Sequence, residues 1–184
     1  MNNDFEKEIN QDLNELFMQA NGLMKDWDFT DGKMKLKIKF INKSGNQDPV
    51  YAKEGDSGFD LRATMPEDAT IVVKSGKRAL VPTGLYFQIP LNFELQIRPR
   101  SGMAAKNGVT VLNSPGTIDS GYRGEIIVIL YNTDENDFVI KNGDRIAQGV
   151  IAAVQTLDNT MFIKSESLDS SERGEGKFGS SGVK

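Results

Sequence analysis

Apolar side chains recur every three or four residues in the first part of the chain. Seven positions carry this spacing: Phe5, Ile9, Leu13, Leu16, Ala20, Leu23 and Trp27. Charged and amide side chains dominate the positions between them, and no proline interrupts the run. This is the period of an α-helix with one apolar face, so we predict an amphipathic helix over 4–27. The sequence Asp-Phe-Thr-Asp-Gly-Lys at 28–33 then indicates a turn or linker.

From residue 34 onward the pattern is that of β-strands. Residues 35–40 alternate polar and apolar side chains strictly, as in a half-buried strand. Further short strands are predicted at 70–74, 78–81, 84–89, 93–98, 109–112, 125–131, 137–140 and 147–155. Glycine-containing turn sequences separate many of these segments, and one or two helical turns are predicted near 103–107. Many short strands at this spacing predict an all-β sandwich or barrel.

The amino-acid composition narrows the chemistry that the chain can perform. Its 184 residues include no cysteine and no histidine. This excludes disulfides, thiol nucleophiles, Ser-His-Asp triads, imidazole bases and Cys/His zinc sites. An enzyme of this composition would rely on Asp, Glu, Lys, Arg, Tyr and Ser, and the metal that suits such groups is a hard cation such as Mg²⁺.

Charge and hydropathy exclude two classes of partner. The formal net charge is −4, so no basic field favours nonspecific nucleic-acid binding, and we expect no direct binding of that kind. The longest apolar runs, such as 126–130, are far shorter than a membrane span. The N-terminus lacks the basic and apolar regions of a signal peptide. With no cysteine present, we expect a cytoplasmic protein.

Two segments carry groups suited to phosphate chemistry. The run Arg-Pro-Arg-Ser-Gly at 98–102 places two guanidinium groups beside a hydroxyl and an accessible backbone, which suits an oxyanion. A predicted hairpin over 116–124 carries Asp119 and Tyr122. Each segment alone is better explained as a solvated loop or an ordinary turn. Their meaning therefore depends on whether they occur together with related motifs.

Five short motifs do occur together and in order. They are Ser-Gly-Phe-Asp-Leu-Arg-Ala at 57–63, Pro-Arg-Ser-Gly-Met-Ala at 99–104, Gly-Thr-Ile-Asp-Ser-Gly-Tyr-Arg-Gly at 116–124, Gly-Asp-Arg-Ile-Ala-Gln at 143–148 and Arg-Gly-Glu-Gly-Lys-Phe-Gly-Ser-Ser-Gly at 173–182. In combination they closely resemble the homotrimeric dUTP diphosphatases (dUTPases), and the resemblance covers 34–184. Two positions depart from the family pattern: Ser57 replaces a usual Ala, and Lys177 replaces a usual Gly.

The resemblance implies a fold and a division of the chain. The fold would be the dUTPase β-clip, a distorted jelly-roll barrel, with an extra N-terminal helix and a flexible C-terminal tail. Residues 1–33 would form a helical extension, 34–164 the barrel, and 165–184 a flexible arm with the fifth motif. The glycine-rich composition of 173–184 agrees with a segment that cannot fold alone.

The resemblance also implies a reaction. Water would attack the α-phosphorus of dUTP to give dUMP and pyrophosphate, which lowers dUTP and supplies dUMP for thymidylate synthesis. By this resemblance, Asp119 is the general base, and a carboxylate of ordinary pKa is already ionised at neutral pH. Mg²⁺ would bridge the phosphates, with Asp60 as its protein contact through coordinated water.

The family pattern assigns the remaining substrate contacts. Phosphates would be held by Arg100, Ser101, Gly102 and Gln148, and the γ-phosphate also by Arg173, Ser180 and Ser181. The uracil edge would be recognised by Asn113 and the hairpin residues Gly116, Thr117 and Ile118. Tyr122 would pack under the deoxyribose, Phe178 would stack on the base, and Gly179 would lie beside it. Because cytosine reverses the donor and acceptor groups of uracil, a fixed hairpin would reject it.

The resemblance further implies a homotrimer with shared active sites and a tail donated by another subunit. Residues 1–33 have no counterpart in the family pattern and would pack on the trimer or recruit a protein partner. Two alternatives remain at this point. A dCTP deaminase shares the fold but needs a catalytic Glu in place of the Asp119–Tyr122 pair. A regulatory dUTPase-fold protein would use dUTP as a switch, which the intact Asp119 and tail disfavour.

Overall fold

The computed structural model describes residues 26–175, and these fall into two units divided after Val154. The first unit contains all the strands and the helix described below. The described part of the second unit, 155–175, has no helix or strand, and its large apolar side chains, such as Phe162, are exposed. Most of the predicted N-terminal helix lies outside the described residues. The proposed division at residues 33 and 164 stays a prediction.

Within residues 26–175 the chain forms thirteen strands and one short helix. The strands are β1 (Trp27–Thr30), β2 (Lys33–Leu36), β3 (Lys39–Asn42), β4 (Phe59–Arg62), β5 (Thr70–Val73), β6 (Arg78–Pro82), β7 (Leu85–Gln88), β8 (Phe93–Arg98), β9 (Val109–Val111), β10 (Gly116–Ile118), β11 (Ile127–Asn132), β12 (Phe138–Lys141) and β13 (Arg145–Ala153). The helix α1 (Ser101–Asn107) lies between β8 and β9. The prediction of an all-β fold is confirmed.

Every strand pairing is antiparallel, and two sheets form the framework. A four-stranded sheet has the order β10-β8-β13-β4, and a three-stranded sheet has the order β6-β11-β9. Three two-stranded ribbons, β1-β2, β3-β7 and β5-β12, surround them. The longest strand, β13, pairs with β8 on one side and β4 on the other. Strands distant in sequence thereby become neighbours.

One apolar core joins these sheets. Leu61 of β4, Leu95 of β8, Leu130 of β11 and Ile146 of β13 are almost completely buried in it. Along β8 and β11 buried positions alternate with more exposed ones, as expected when only one face of a strand packs on the core. Met103 attaches α1 to the same core. The helix therefore holds the segment after β8 in a fixed position.

The N-terminal boundary differs from the prediction. β1 and β2 form a hairpin around Asp31 and Gly32, whose φ angles are 54° and 71°. Two central residues with positive φ fit a type I′ turn, which Asp-Gly favours. The predicted turn is therefore found, but its flanks are strands rather than linker. Trp27 belongs to β1 instead of the predicted helix, and its ring packs edge-on against Phe93 with the centroids 6.1 Å apart.

The other strand predictions agree closely with the structure. All eight strands predicted after residue 70 are found, with ends within two residues of the predicted ones. The strand predicted over 35–40 is divided between β2 and β3, because its first part pairs with β1 and its last part, from Lys39, pairs with β7. Two short strands, β4 and β10, were not predicted as strands, and both carry site motifs.

Candidate active site

Strand register brings three of the motifs together. Asp60 on β4 lies opposite Gln148 on β13, and Gln148 lies opposite Arg98 at the end of β8. The chain leaves β8 through Pro99 and Arg100 and enters α1 at Ser101. The motifs at 57–63, 99–104 and 143–148 therefore meet at one edge of the four-stranded sheet, although they are far apart in sequence.

A cleft of about 310 Å³ opens at this edge. Its lining residues are Val50, Ala52, Asp56, Ser57, Gly58, Phe59, Asp60, Arg100, Ser101, Gly102 and Gln148. Five of the residues predicted to contact phosphate or metal are among them: Asp60, Arg100, Ser101, Gly102 and Gln148. The variant position Ser57 also lines the cleft. The structure thus brings together the phosphate-binding residues predicted from the second and fourth motifs with the carboxylate of the first.

The Asp60 carboxylate is held by two arginines. Arg100 Nε lies 3.0 Å from Asp60 Oδ1, and Arg145 Nη1 lies 3.3 Å from Asp60 Oδ2. Arg100 also donates a hydrogen bond of 3.3 Å to the Arg145 carbonyl. Sequence reasoning did not single out Arg145, although it lies inside the fourth motif. Its part in the cluster depends on the pairing of β13 with β4, which no local pattern specifies.

Close backbone packing fixes the Gln148 side chain. Its Nε2 donates a hydrogen bond of 2.9 Å to the Pro99 carbonyl. A Cβ placed on Gly58 would lie 2.8 Å from Gln148 Oε1, so only glycine leaves room for this side chain. The adjacent Gly149 is similarly confined, since a Cβ there would lie 2.7 Å from Phe59 Cζ. The two glycines explain why the strands can approach so closely behind the cleft.

The start of α1 supplies backbone donors. Ser101 and Gly102 are exposed in its first turn. The backbone hydrogen bond that begins the helix runs from Ala104 N–H to the Arg100 carbonyl. The N–H groups of a first helical turn have no acceptor inside the helix. They are therefore available to oxygen atoms of an anion in the cleft, beside the Ser101 hydroxyl.

The segment with Asp119 and Tyr122 is a turn between β10 and β11, which we call the Asp119 turn. The predicted hairpin is not found, because β10 pairs with β8 and β11 pairs with β6 and β9 rather than with each other. The Asp119 turn is closed by a hydrogen bond of 3.0 Å from Tyr122 N–H to the Asp119 carbonyl. The Tyr122 hydroxyl donates to the Glu125 carbonyl at 3.0 Å, and Arg123 Nη1 donates to the carbonyls of Ser120 and Tyr122. The Asp119 side chain is left exposed.

The residues predicted to recognise uracil lie just before the Asp119 turn. Gly116, Thr117 and Ile118 form β10, and Asn113 precedes it across a cis Ser114–Pro115 bond. A Cβ on Gly116 would lie 3.1 Å from Asn113 Nδ2, so the amide is packed closely against this backbone. Asn113 and β10 therefore form one surface.

Within one chain the Asp119 turn lies far from the cleft. β10 and β4 occupy opposite edges of the four-stranded sheet, three strand spacings apart. Ile118 also pairs with Leu95, three residues along β8 from Arg98. With a spacing of about 4.8 Å between strands and about 3.4 Å along them, Ile118 and Asp60 are separated by roughly 17 Å across the sheet. Asp119 of one chain is therefore outside the cleft of the same chain.

The donor groups of the cleft suit one type of metal binding. Among residues 26–175 no cluster of three or more carboxylates forms a protein-only metal cage. Asp56 and Asp60 both line the cleft, beside residues suited to phosphate. Mg²⁺ is commonly held by one or two carboxylates together with substrate phosphates and water. The residues therefore fit a Mg²⁺ ion that is shared with a phosphate ligand.

The fifth motif is only partly described. Arg173 is exposed in the second unit. Phe178, Gly179, Ser180 and Ser181 lie outside the described residues, so their predicted contacts stay predictions. No helix in the described part of the chain is long and apolar enough to cross a membrane.

The fold and the cleft define a class of protein: an antiparallel β domain whose cleft carries groups suited to phosphate, with the Asp119 turn apart from the cleft. The dUTPase family model matches residues 35–182. A deoxyuridine 5'-triphosphate nucleotidohydrolase of Caulobacter vibrioides is 54% identical over 151 residues, covering 80% of this chain and 96% of the relative. The chain belongs to the dUTPase family.

Solved structures agree with this assignment. A dUTPase of Staphylococcus bacteriophage 80alpha with dUpNHpp matches with a TM-score of 0.69 at 26% identity, covering 80% of this chain and 99% of that one. A mutant dUTPase of phage phi11 of S. aureus, described for its coordination of a structural Mg(II) ion, matches with a TM-score of 0.63 at 20% identity. That match covers 73% of this chain and 99% of the phage chain, and it shows the shared fold.

Proposed function

We propose that this protein hydrolyses dUTP to dUMP and pyrophosphate by attack of water on the α-phosphorus. The observation that carries the proposal is the cleft in which Asp60, Arg100 and Gln148 meet the start of α1. The 54% identity to a deoxyuridine 5'-triphosphate nucleotidohydrolase supports dUTP as the substrate. The reaction lowers dUTP and supplies dUMP for thymidylate synthesis, and we place it in the cytoplasm.

The phosphates would bind in the cleft. Arg100 and the first-turn N–H groups of α1 supply charge and donors to the phosphate oxygens, and the Ser101 hydroxyl adds one more donor. The Gln148 amide, held by the Pro99 carbonyl, would approach the α-phosphate. When bound, Mg²⁺ supplies further neutralisation of phosphate charge, and Asp60 is the residue that would hold it through water.

Asp119 would be the general base. Its exposed carboxylate can accept a proton from the attacking water. The hydrogen bonds that close the Asp119 turn fix the backbone around it. Tyr122 would pack beneath the deoxyribose and leave no room for a solvated 2′-hydroxyl. Asn113 and β10 would meet the uracil edge and leave groups unpaired if cytosine entered.

A complete site would need a second chain. Ile118, the residue before Asp119, lies roughly 17 Å across the sheet from Asp60 in the cleft of its own chain. A homotrimer in which the Asp119 turn of one subunit faces the cleft of another removes this gap. The exposed side chains of Leu80, Leu112 and Ile127, on one face of the β6-β11-β9 sheet, offer an apolar surface for such contacts.

The C-terminal motif would close over the substrate. Phe178 would stack on the uracil with Gly179 beside it, and Arg173, Ser180 and Ser181 would meet the γ-phosphate. Closure would keep bulk water away from the reacting phosphorus. Residues 1–33 remain the segment through which a further protein partner would bind.

Isotope labelling tests the proposed reaction directly. Hydrolysis of dUTP in water enriched in ¹⁸O should place the label in dUMP and leave pyrophosphate unlabelled. Label in pyrophosphate would contradict attack at the α-phosphorus. The deaminase alternative predicts ammonia release from dCTP, which the same preparation should not produce.

A further inference from the structure

Arg145 approaches the Asp60 carboxylate from outside the cleft. The residues that line the cleft include Asp60 and Arg100 but not Arg145. Arg145 instead lines an adjacent pocket of about 420 Å³, together with Lys106 and Phe138, and Arg100 borders both spaces. The two arginines on Asp60 therefore differ in their surroundings: Arg100 lines the cleft, whereas Arg145 lines only the adjacent pocket.

A break in strand register puts Arg145 in this position. β13 pairs with β4 with a shift between Arg145 and Ala147, so that Arg145 lies opposite Arg62. Two cations directly opposite each other are unfavourable. The conflict is resolved because Arg62 donates to the Gly143 carbonyl at 2.9 Å, while Arg145 reaches diagonally to Asp60. The register shift of β13 thus aims the Arg145 side chain at the carboxylate.

The two arginines occupy different oxygens of the carboxylate. Arg100 contacts Oδ1 and Arg145 contacts Oδ2, and the Arg145 carbonyl accepts a hydrogen bond from Arg100. Arg100 uses Nε for Asp60 and Nη1 for the Arg145 carbonyl, so only part of its five N–H donors is free for phosphate oxygens. Loosening of the contact with Asp60 would give a triphosphate in the cleft more of these donors.

We propose that Arg145 is a positioning residue that favours movement of the Arg100 guanidinium from Asp60 to the phosphates of a bound triphosphate. It retains Oδ2 of Asp60 when Arg100 turns to the phosphates, so the carboxylate stays in place and remains compensated. Without Arg145, both oxygens of Asp60 are free to engage the Arg100 fork in a bidentate pair, which is the stronger arrangement. Asp60 then competes with the phosphates for Arg100. This inference rests on the proposed function, because it concerns the triphosphate site of that reaction.

A double-mutant cycle between Arg145→Gln and Asp60→Asn tests the proposal. The measurement is calorimetric binding of dUpNHpp to the full chain, once in EDTA and once in excess Mg²⁺. Arg145→Gln should weaken binding about three- to fivefold in both buffers, the range of a partly exposed ion pair. In the Asp60→Asn background the same change should weaken binding less than about 1.5-fold, since no carboxylate then competes for Arg100.

Two further variants separate this role from general charge and from folding. Arg145→Lys retains a cation near Asp60 and should recover about half of the lost affinity on a logarithmic scale. Arg62→Gln removes a guanidinium from the opposing position of β4 without touching Asp60, and its affinity should match the unaltered chain. Thermal unfolding of every variant identifies any loss of the fold.

The outcomes are distinguishable. Equal weakening by Arg145→Gln in both backgrounds would show that Arg145 meets the phosphates itself and would overturn the proposal. Unchanged affinity of Arg145→Gln in the chain that retains Asp60 would overturn it as well. If Asp60→Asn binds too weakly to measure, failure of Arg145→Lys to recover affinity would overturn it. Absence of dUpNHpp binding by the unaltered, folded chain would instead overturn the proposed function, and the role of Arg145 with it.

Discussion

At the scale of single residues, the carboxylates of Asp60 and Asp119 differ in their contacts. Asp60 is compensated by two arginines and is only partly exposed. The Asp119 carboxylate has no hydrogen-bond partner among the described residues, and only its backbone is fixed. The first environment suits a group that stays in place beside phosphates, and the second leaves a lone pair free for a proton. The division of roles between the two therefore follows from their contacts.

Asp119→Asn tests the role of the base. The variant should lose about two to four orders of magnitude in turnover, because an amide cannot accept the proton and general-base assistance is of that size. Calorimetry should show that dUTP still binds. Asp68→Asn, an exposed carboxylate between β4 and β5, is the matched control and should turn over normally. Near-normal turnover by Asp119→Asn would contradict the assignment.

Gly124→Ala tests the placement of the Tyr122 ring. A Cβ at Gly124 would collide with the hydroxyl and ring of Tyr122, so the ring must move. If the ring excludes the 2′-hydroxyl, the ratio of kcat/KM for dUTP over UTP should fall about tenfold. Gly121→Ala is the control in the same turn, since nothing lies within 4 Å of its added Cβ. An unchanged ratio in Gly124→Ala would argue that another group discriminates the sugar.

At the scale of elements, the N-terminal hairpin divides the predicted extension into two parts. β1 and β2 are paired along their full length, and Trp27 packs on Phe93 of β8. Residues before Asp26 lie outside the described structure. Removal of 1–25 and removal of 1–33 are therefore different experiments, because the second also deletes β1, whose Trp27 contacts β8.

Two truncations test this division. Deletion of 1–25 and deletion of 1–33 should both retain dUTP hydrolysis and the proposed trimer size measured by light scattering, since every site motif lies later in the chain. The longer deletion should lower the thermal midpoint more than the shorter one, because loss of the Trp27–Phe93 pair costs about 0.5–1.5 kcal/mol beyond the lost apolar burial. Equal midpoints would show that the hairpin contributes nothing to the first unit, and loss of the trimer would place residues 1–33 in the subunit contacts.

The accuracy of the sequence predictions varies with the range of the interactions involved. β8 was predicted from the alternation of its side chains and β11 from its short apolar run, and both are local properties. β4 and β10 escaped prediction because they lie among glycine-containing turn sequences, yet pairing with β13 and β8 makes them strands. At the hairpin of β1 and β2, the helical spacing that ends at Trp27 masked a strand. The competing signal was Asp31-Gly32, which favours a two-residue hairpin turn.

The site was predictable as a set of residues but not as an arrangement. The motifs named Asp60, Arg100 and Gln148 because their residue types suit phosphate and Mg²⁺. Their proximity depends on pairing between β4 and β13, which are more than eighty residues apart in sequence. The role of Arg145 depends in addition on a register shift within that pairing. Neither feature has a local sequence signal.

At the scale of the whole molecule, the proposed active site is shared between chains. The cleft contains residues of three motifs, and the Asp119 turn follows β10, at the opposite edge of the same sheet. A monomer of this shape would bind phosphates without a base beside them. Activity should therefore depend on assembly, and defects in different motifs should complement each other.

Mixed trimers test this dependence. Chains lacking 173–184 and chains carrying Asp119→Asn should each be nearly inactive. After subunit exchange, verified by mass spectrometry, the mixture should recover part of the activity, because some sites combine an intact tail with an intact base from different chains. Exchange of each variant with itself is the control. If verified mixed trimers gain no activity, each chain closes its own site.

The most direct measurement of the central claim is pyrophosphate release from dUTP, dCTP, dTTP and UTP by the unaltered chain in Mg²⁺. We predict rapid release from dUTP. Release from dCTP and dTTP should be slower by several orders of magnitude, because Asn113 and β10 would leave groups unpaired against cytosine and have no space for the thymine methyl. UTP should be excluded by Tyr122. Comparable release from all four nucleotides, or none from dUTP, would contradict the account.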